Sequence, residues 1–228
     1  SETAFAQWQL SESTFPGQGE LALAERVVVL NNTRLRVAEG TVDADATLQL
    51  ANGDWQASVV TAQVPIEQFT TQAEGLLSAD VDAAGNLGAI NLNQIQAGGT
   101  AAIANAQVRL PSTTEPLLEK GPWTTAFQWQ GDRIAVNSFS APGLQANGTI
   151  GVDFTQQIPI DRFNLDVALQ SFDLAPLNSF APPTIAEYAQ VTGLTSFDGQ
   201  LTGTLTNPQI NGTTRLDNFA LNDLLFEP

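Results

Sequence analysis

Apolar side chains recur at every second residue through most of this chain, and a period of two fits a strand with one face buried. The cleanest run is Thr41 to Leu50. Val42, Ala44, Ala46, Leu48 and Leu50 take one face, and Thr41, Asp43, Asp45, Thr47 and Gln49 the other. Asn52-Gly53 then supplies a hairpin turn. Trp55, Ala57 and Val59 start the return strand before the phase moves to Val60, Ala62, Val64 and Ile66, which predicts a bulge at Val59-Val60. Leu144, Ala146, Gly148, Ile150, Val152 and Phe154 form one face of a later strand, followed by Phe163, Leu165, Val167 and Leu169. In the stretch from Gly193 to Leu221 the alternating set is Phe197, Leu201 and Leu205, then Ile210 and Leu216. Thr206-Asn207-Pro208 is read as the turn between them.

The rest of the chain is punctuated more densely. Residues 1 to 20 read as an entry strand and a loop, and Leu21 to Val37 as two strands joined by a hairpin turn at Asn31-Asn32. Gly85, Gly88, Gly98 and Gly99 break Phe69 to Ile103 into short strands. Pro111 to Pro122 reads as a loop, and Trp123, Thr125, Phe127 and Trp129 resume the alternation up to Gly131-Asp132. One short helix is expected over Pro183 to Val191, with proline in its first turn and Gly193 as its stop. Ala38 to Phe69 superposes without a gap on Ala146 to Leu177, matching Gly40 with Gly148, Thr41 with Thr149, Asp45 with Asp153 and Val59 with Val167. This predicts a duplicated β-unit: residues 1–228 as a single β-rich fragment of a repeat array, with units near 21–110 and 123–228.

Composition removes several classes of function. Against 24 acidic residues stand 8 basic ones, for a net charge of -16, which argues against a nucleic-acid or anionic-membrane surface as partner. Only 14% of residues are charged, where about a quarter is usual. The chain contains neither His nor Cys, so it lacks disulfides, thiolate nucleophiles, the usual general base and the usual zinc ligands. It opens without a basic, apolar and small-residue leader, and its longest strongly apolar run is Val27 to Leu30, so no membrane span is expected within it.

Gly199, Leu201, Gly203, Thr204, Leu205, Asn207, Pro208, Ile210 and Gly212, followed by Leu216-Asp217-Asn218-Phe219-Ala220-Leu221, form a pattern that resembles the closing signature of the TamB family within the AsmA-like group. The resemblance implies an elongated, curved all-β sheet, a half-open trough with a hydrophobic interior. It implies the periplasmic part of an inner-membrane-anchored envelope protein, its anchor outside this sequence. The implied role is non-enzymatic phospholipid transport between the inner and outer membranes, or alternatively a scaffold for outer-membrane protein assembly or translocation. Expected partners are phospholipid acyl chains, neighbouring repeats of the same chain and an outer-membrane β-barrel of the Omp85 type, with no nucleic acid. Lining the groove are Val42, Ala44, Ala46, Leu48, Leu50, Val59, Leu144, Ala146, Ile150, Val152, Phe154, Leu165, Val167, Leu201, Leu205 and Ile210. An acyl chain of about 16 methylenes costs about 13 kcal/mol to expose to water, so a dry lane of near-equivalent positions would carry it without chemistry.

Sharper sites are weaker on inspection. Asp80, Asp82 and Gly85 begin like a calcium loop, but Ala84 replaces an oxygen ligand and Asn91 stands where a bidentate glutamate is wanted, so a solvated turn is expected. Asp43 and Asp45 share a strand face as an acid-base pair would, yet an outward polar stripe explains them far better. Asn31, Asn147 and Asn211 lie in glycosylation-type sequons. Tyr188 and Glu187 on the expected helix read as packing and a surface charge. Trp123 and Trp129 suit sugar stacking or the apolar face of a strand, and a carbohydrate-binding sandwich is the third reading. No catalytic residue, metal or cofactor is expected.

Overall fold

A computed structural model describes residues 3–70, 73–89, 95–108, 120–153, 160–175, 178, 190–204, 206–222 and 224–225. The strands are β1 Ala4–Leu10, β2 Gly17–Ala24, β3 Val27–Val37, β4 Gly40–Gln49, β5 Asp54–Pro65, β6 Ala73–Asn86 and β7 Gln96–Val108. They continue as β8 Gly121–Gln130, β9 Arg133–Ala141, β10 Leu144–Val152, β11 Ile160–Asp173, β12 Val191–Thr204, β13 Asn207–Leu221 and β14 Leu224–Leu225. Each pairs antiparallel with the next in sequence, so the chain forms one open, curved, elongated 14-stranded sheet. At about 4.8 Å per strand the array is roughly 60 Å long. Short 3-10 turns at Ile66–Gln68 and Leu87–Ala89 follow β5 and β6.

Among the described residues the sheet has no second layer. Substantial contacts between strands are all between ladder neighbours. No large side chain among these residues is fully buried. A closed sandwich, the architecture of the third reading, is therefore not what they build. The apolar side chains are sheltered instead by their own sheet. A Cβ on Gly85 would come within 2.9 Å of the Trp55 indole, and one on Gly19 within 2.7 Å of that of Trp8. Rings thus lie flat across glycines of the neighbouring strand, shielding backbone without an opposing wall.

Bulges shape this sheet. Asn32, Gln63, Asn105, Ser171 and Asn218 adopt left-handed φ between 51° and 55°, all on odd-numbered strands, Asn32 at the middle of β3 and the other four near the C-terminal ends of theirs. The register shifts there, between Leu30 and Thr33 in β3 and between Thr61 and Val64 in β5. Side chains of the next strand receive several of the displaced amides: Asn32 N donates to Asp45 Oδ1 (2.8 Å), Gln63 N to Ser78 Oγ (3.2 Å) and Ser171 N to Ser196 Oγ (3.4 Å). Because odd strands run the same way, these bulges fall toward one long margin, where the local twist rises. Most of the deeply buried apolar residues lie along it: Val37, Val64 (3% exposed), Ala106 (2%), Ala141 and Leu174. At the other margin Leu23, Leu50 (53%) and Leu87 are exposed, with Val152 the buried exception.

Five local expectations are corrected. Phe69 to Ile103 is not broken into short strands: β6 and β7 run 14 and 13 residues, with Gly85, Gly98 and Gly99 inside them. Asn31-Asn32 is not a hairpin turn but part of β3; the turn is Glu25-Arg26, both at positive φ, as a tight two-residue hairpin requires. The bulge expected at Val59-Val60 sits at Gln63, and Val59 and Val60 pair in unbroken register with Ala44 and Asp43. Asn207 and Pro208 belong to β13 rather than to a turn, Pro208 opposite Gly203. Val191 opens β12 instead of closing a helix. It exchanges two hydrogen bonds with the Asn178 side chain, which substitutes there for a strand neighbour. The remainder of the expected helix, residues 183–189, lies outside the described residues. The segments matched as a repeat form the β4–β5 and β10–β11 hairpins in different registers: Val167 pairs with Ala146, whereas Val59 pairs with Ala44 rather than Ala38.

Candidate functional site

Directly paired residues in an antiparallel ladder share a face, so the register identifies what each face presents. One row runs Ala6, Leu21, Leu30, Ala46, Ala57, Ala83, Ala97, Trp129, Ile134, Ile150, Phe163, Gly203 and Pro208, each paired with the next. It crosses from β1 to β13 without one polar side chain, a distance of roughly 58 Å. The adjacent row from Ala44 carries Val59, Val81, Gly99, Phe127, Val136, Gly148, Leu165, Leu201 and Ile210. Between β4 and β7 these rows hold mostly alanine, glycine and valine, and from β8 to β11 they become bulky and aromatic. The apolar face is the more shielded one along β4 and β8, while alternate residues such as Thr47, Gln49, Gln128 and Gln130 are exposed.

The structure brings most of the expected lining residues onto this face. Val42, Ala44, Ala46 and Leu48 follow one another along β4, with Val59 beside Ala44. Leu144, Ala146, Ile150 and Val152 lie along β10, Leu165 and Val167 along β11, Leu201 on β12, and Ile210 on β13, where it is 70% exposed. Leu50 departs from the pattern. It lies past the end of β4 in the turn at the open margin, with its amide donating to Arg26 O. Phe154 and Leu205 lie outside the described residues. Members of the rows that alternation left out include Leu30, Ile134 and Val136, and Phe139 joins the same face opposite Ala146. The β9 run Ile134, Val136, Phe139, Ala141 changes phase at a register shift, which hides it from a period-two search.

The opposite face is polar and acidic. A hollow of about 580 Å³ lies over β4 to β8, lined by polar residues that include Asp45, Gln56, Ser58, Asp82, Gln96 and Gln128, and also by Ala46, Ala57, Ala83, Ala97 and Trp129 of the apolar row. Asp43 and Asp45, read as an outward stripe, have structural partners. Arg34 Nε donates to Asp43 Oδ1 at 2.6 Å and Nη2 to Oδ2 at 3.2 Å, and Asp45 accepts the Asn32 amide. The hydrogen bond to Asp43, with its charge, raises the pKa of the Arg34 guanidinium. Asp80 to Gly85 is continuous strand rather than a turn, so it does not wrap an ion, and no metal-binding cluster occurs among the described residues. Asn31, Asn147 and Asn211 are exposed. Trp123 lies on the apolar face, edge-on to Phe139 with ring centroids 6.0 Å apart, and Trp129 Nε1 donates to Gly131 O at 2.7 Å. Tyr188 and Glu187 lie outside the described residues. Among the described residues no helix is long and apolar enough to cross a membrane.

Comparison with protein-family models, characterised proteins and solved structures finds no match for this chain.

Proposed function

We propose that this chain is a non-enzymatic groove module that carries phospholipid acyl chains between the inner and outer membranes across the periplasm, within a TamB-like envelope protein anchored elsewhere. The observation that supports this reading is the uninterrupted apolar row from Ala6 to Pro208, which no second layer covers among the described residues. A lipid chain lying along it is shielded from water on the side that meets the sheet. Full burial of about 16 methylenes is worth about 13 kcal/mol, of which contact with one open face supplies a part. Near-equivalent steps of about 4.8 Å avoid a single deep trap, so displacement needs no chemical step. The acidic, lysine-poor outer face discourages adhesion to anionic headgroups, leaving the groove as the surface of contact.

One observation favours a second reading, a scaffold for outer-membrane protein assembly. Among the described residues β14 pairs only with Ala220 and Leu221 of β13, leaving most of the long β13 edge for strand addition by an incoming β-segment. A photoreactive amino acid at Leu48 or Ile150 in cells separates the two. Adducts with phospholipid support the conduit, and adducts with polypeptide alone overturn it in favour of the scaffold.

A further inference from the structure

The apolar face carries polar atoms that the protein itself leaves without a partner. Thr33 Oγ1, Thr61 Oγ1 and Trp123 Nε1 are each screened from solvent, and among the described residues none of them makes a hydrogen bond. Register places all three on the apolar face: Thr33 is paired with Ala44, Thr61 with Val42 and Ala79, and Trp123 with Ile103. Other polar groups of this face are satisfied, Thr125 Oγ1 by Ser138 O at 3.0 Å and Trp129 Nε1 by Gly131 O at 2.7 Å. A screened hydroxyl without a partner destabilises a fold, and valine has the same shape without that cost. Packing therefore gives no reason for a threonine at position 61.

We propose that Thr61 and Trp123 are seats for the ester carbonyl oxygens of an acyl lipid, an inference that rests on the acyl-chain lane proposed above and names the linkage its cargo carries. Trp123 Nε1 can only donate, so its partner must be an acceptor. That acceptor must reach an apolar face without bringing a charge, and the carbonyl at the head of an acyl chain arrives already attached to hydrocarbon. Both residues are only half-buried, so a side-chain rotation presents the hydroxyl or the N–H to a cargo lying on the face. Thr33 is different. It is 6% exposed, and the Trp8 indole lies beside it across Gly19, which puts its hydroxyl out of reach.

The two seats flank a low floor. Ala79 and Ala101 continue the row of Thr61 across β6 and β7 to Thr125, two residues along β8 from Trp123. This separates the seats by roughly 16 Å, so a lipid engages one at a time. Both lie on the same side of the row from Ala6 to Pro208, toward the margin where the deeply buried residues gather. A lipid thus lies with its hydrocarbon along that row and its ester end turned to that margin.

The test compares two lipids that differ in the carbonyl alone. The purified chain is mixed with vesicles of dipalmitoyl phosphatidylcholine and its dihexadecyl ether counterpart in equal amounts, and the lipid it retains is counted by mass spectrometry. The unsubstituted chain is expected to favour the diester roughly fivefold, the worth of one neutral hydrogen bond. Thr61→Val lowers the ratio part way, and Thr61→Val combined with Trp123→Phe brings it to parity. Thr33→Val, the same change beyond reach of the cargo, leaves it unaltered. With an isotope-labelled carbonyl, the infrared C=O band of the bound diester moves to lower wavenumber in the unsubstituted chain and not in the double variant. Equal retention of the two lipids by the unsubstituted chain, an unchanged ratio in both Thr61→Val and the double variant, or a loss of preference in Thr33→Val alone would overturn the inference and leave the acyl lane standing. Retention of neither lipid would overturn the lane and the inference with it, whether or not an extended polypeptide binds in their place.

Discussion

Replacing Ile150 by aspartate tests the open face and its proposed cargo together. Ile150 lies in the bulky part of the apolar row, paired with Ile134 and Phe163, and is only half-buried. Losing part of its burial costs about 1 kcal/mol, and because no second layer covers the position the new carboxylate stays hydrated. Ile150→Asp is therefore expected to fold, with an unfolding midpoint in urea only slightly lowered. An acyl chain crossing the position, however, must strip that carboxylate of water or neutralise it. At pH 7, protonating a carboxyl of ordinary pKa near 3.9 costs about 4 kcal/mol, a factor of about a thousand in occupancy or passage. At pH 5 the cost falls to about 1.5 kcal/mol, or roughly tenfold, so the block relaxes as pH falls. The assay is labelling of the purified chain by a photoreactive phospholipid at both pH values. Gln145→Asp, on the exposed face of the same strand, serves as control. Labelling of Ile150→Asp equal to that of Gln145→Asp at pH 7 would refute the acyl-chain lane. Outright unfolding of Ile150→Asp would refute the open face, since a buried, uncompensated charge is what a closed core punishes.

Other outcomes follow from the same geometry. Gly148→Ala is expected to destabilise by about 2–4 kcal/mol in chemical denaturation, because φ is +139° there and the new methyl would collide with the Asn164 carbonyl oxygen. Asn32→Ala is expected to cost about 1–2 kcal/mol and Asn31→Ala little, since only Asn32 holds the left-handed bulge; equal effects in thermal melts would return the pair to a turn. Asp43→Asn should leave the unfolding midpoint unchanged between pH 5 and pH 9. The Arg34–Asp43 bridge is exposed, and a guanidinium whose pKa is raised on folding contributes below its unfolded pKa and loses that contribution only at strongly alkaline pH.

The strands were legible where the alternation kept one phase, as along β4 and the first part of β10, because side-chain direction alone sets that signal. It failed at the bulges. Asn32 resembles a turn residue, and its left-handed backbone is that of a turn, but a one-residue bulge uses the same conformation to bend a strand and keep Leu30 and Thr33 on one face. The three-residue step from Thr61 to Val64 likewise displaced the predicted bulge toward Val59-Val60, where the local sequence offers two adjacent valines. Openness was not legible in the periodicity and was expected from the resemblance alone. A sandwich and a single curved sheet share the two-residue rhythm, and only the register and the lack of a second layer over the described strands separate them. The pairing of rings with glycines, such as Trp55 over Gly85, joins residues far apart in sequence and carries no local signal. For the candidate face, most expected lining residues lie where their periodicity placed them, whereas Ile134 and Val136 were masked by the phase change in β9.

The most direct measurement is the lipid content of the chain itself, purified from membranes under mild conditions, extracted with organic solvent and assayed for phosphorus and acyl chains. The account predicts co-purifying phospholipid in at least equimolar amount, depleted in Ile150→Asp and retained in Gln145→Asp. A folded chain that carries no phospholipid, and takes up none when mixed with phospholipid vesicles, would contradict it.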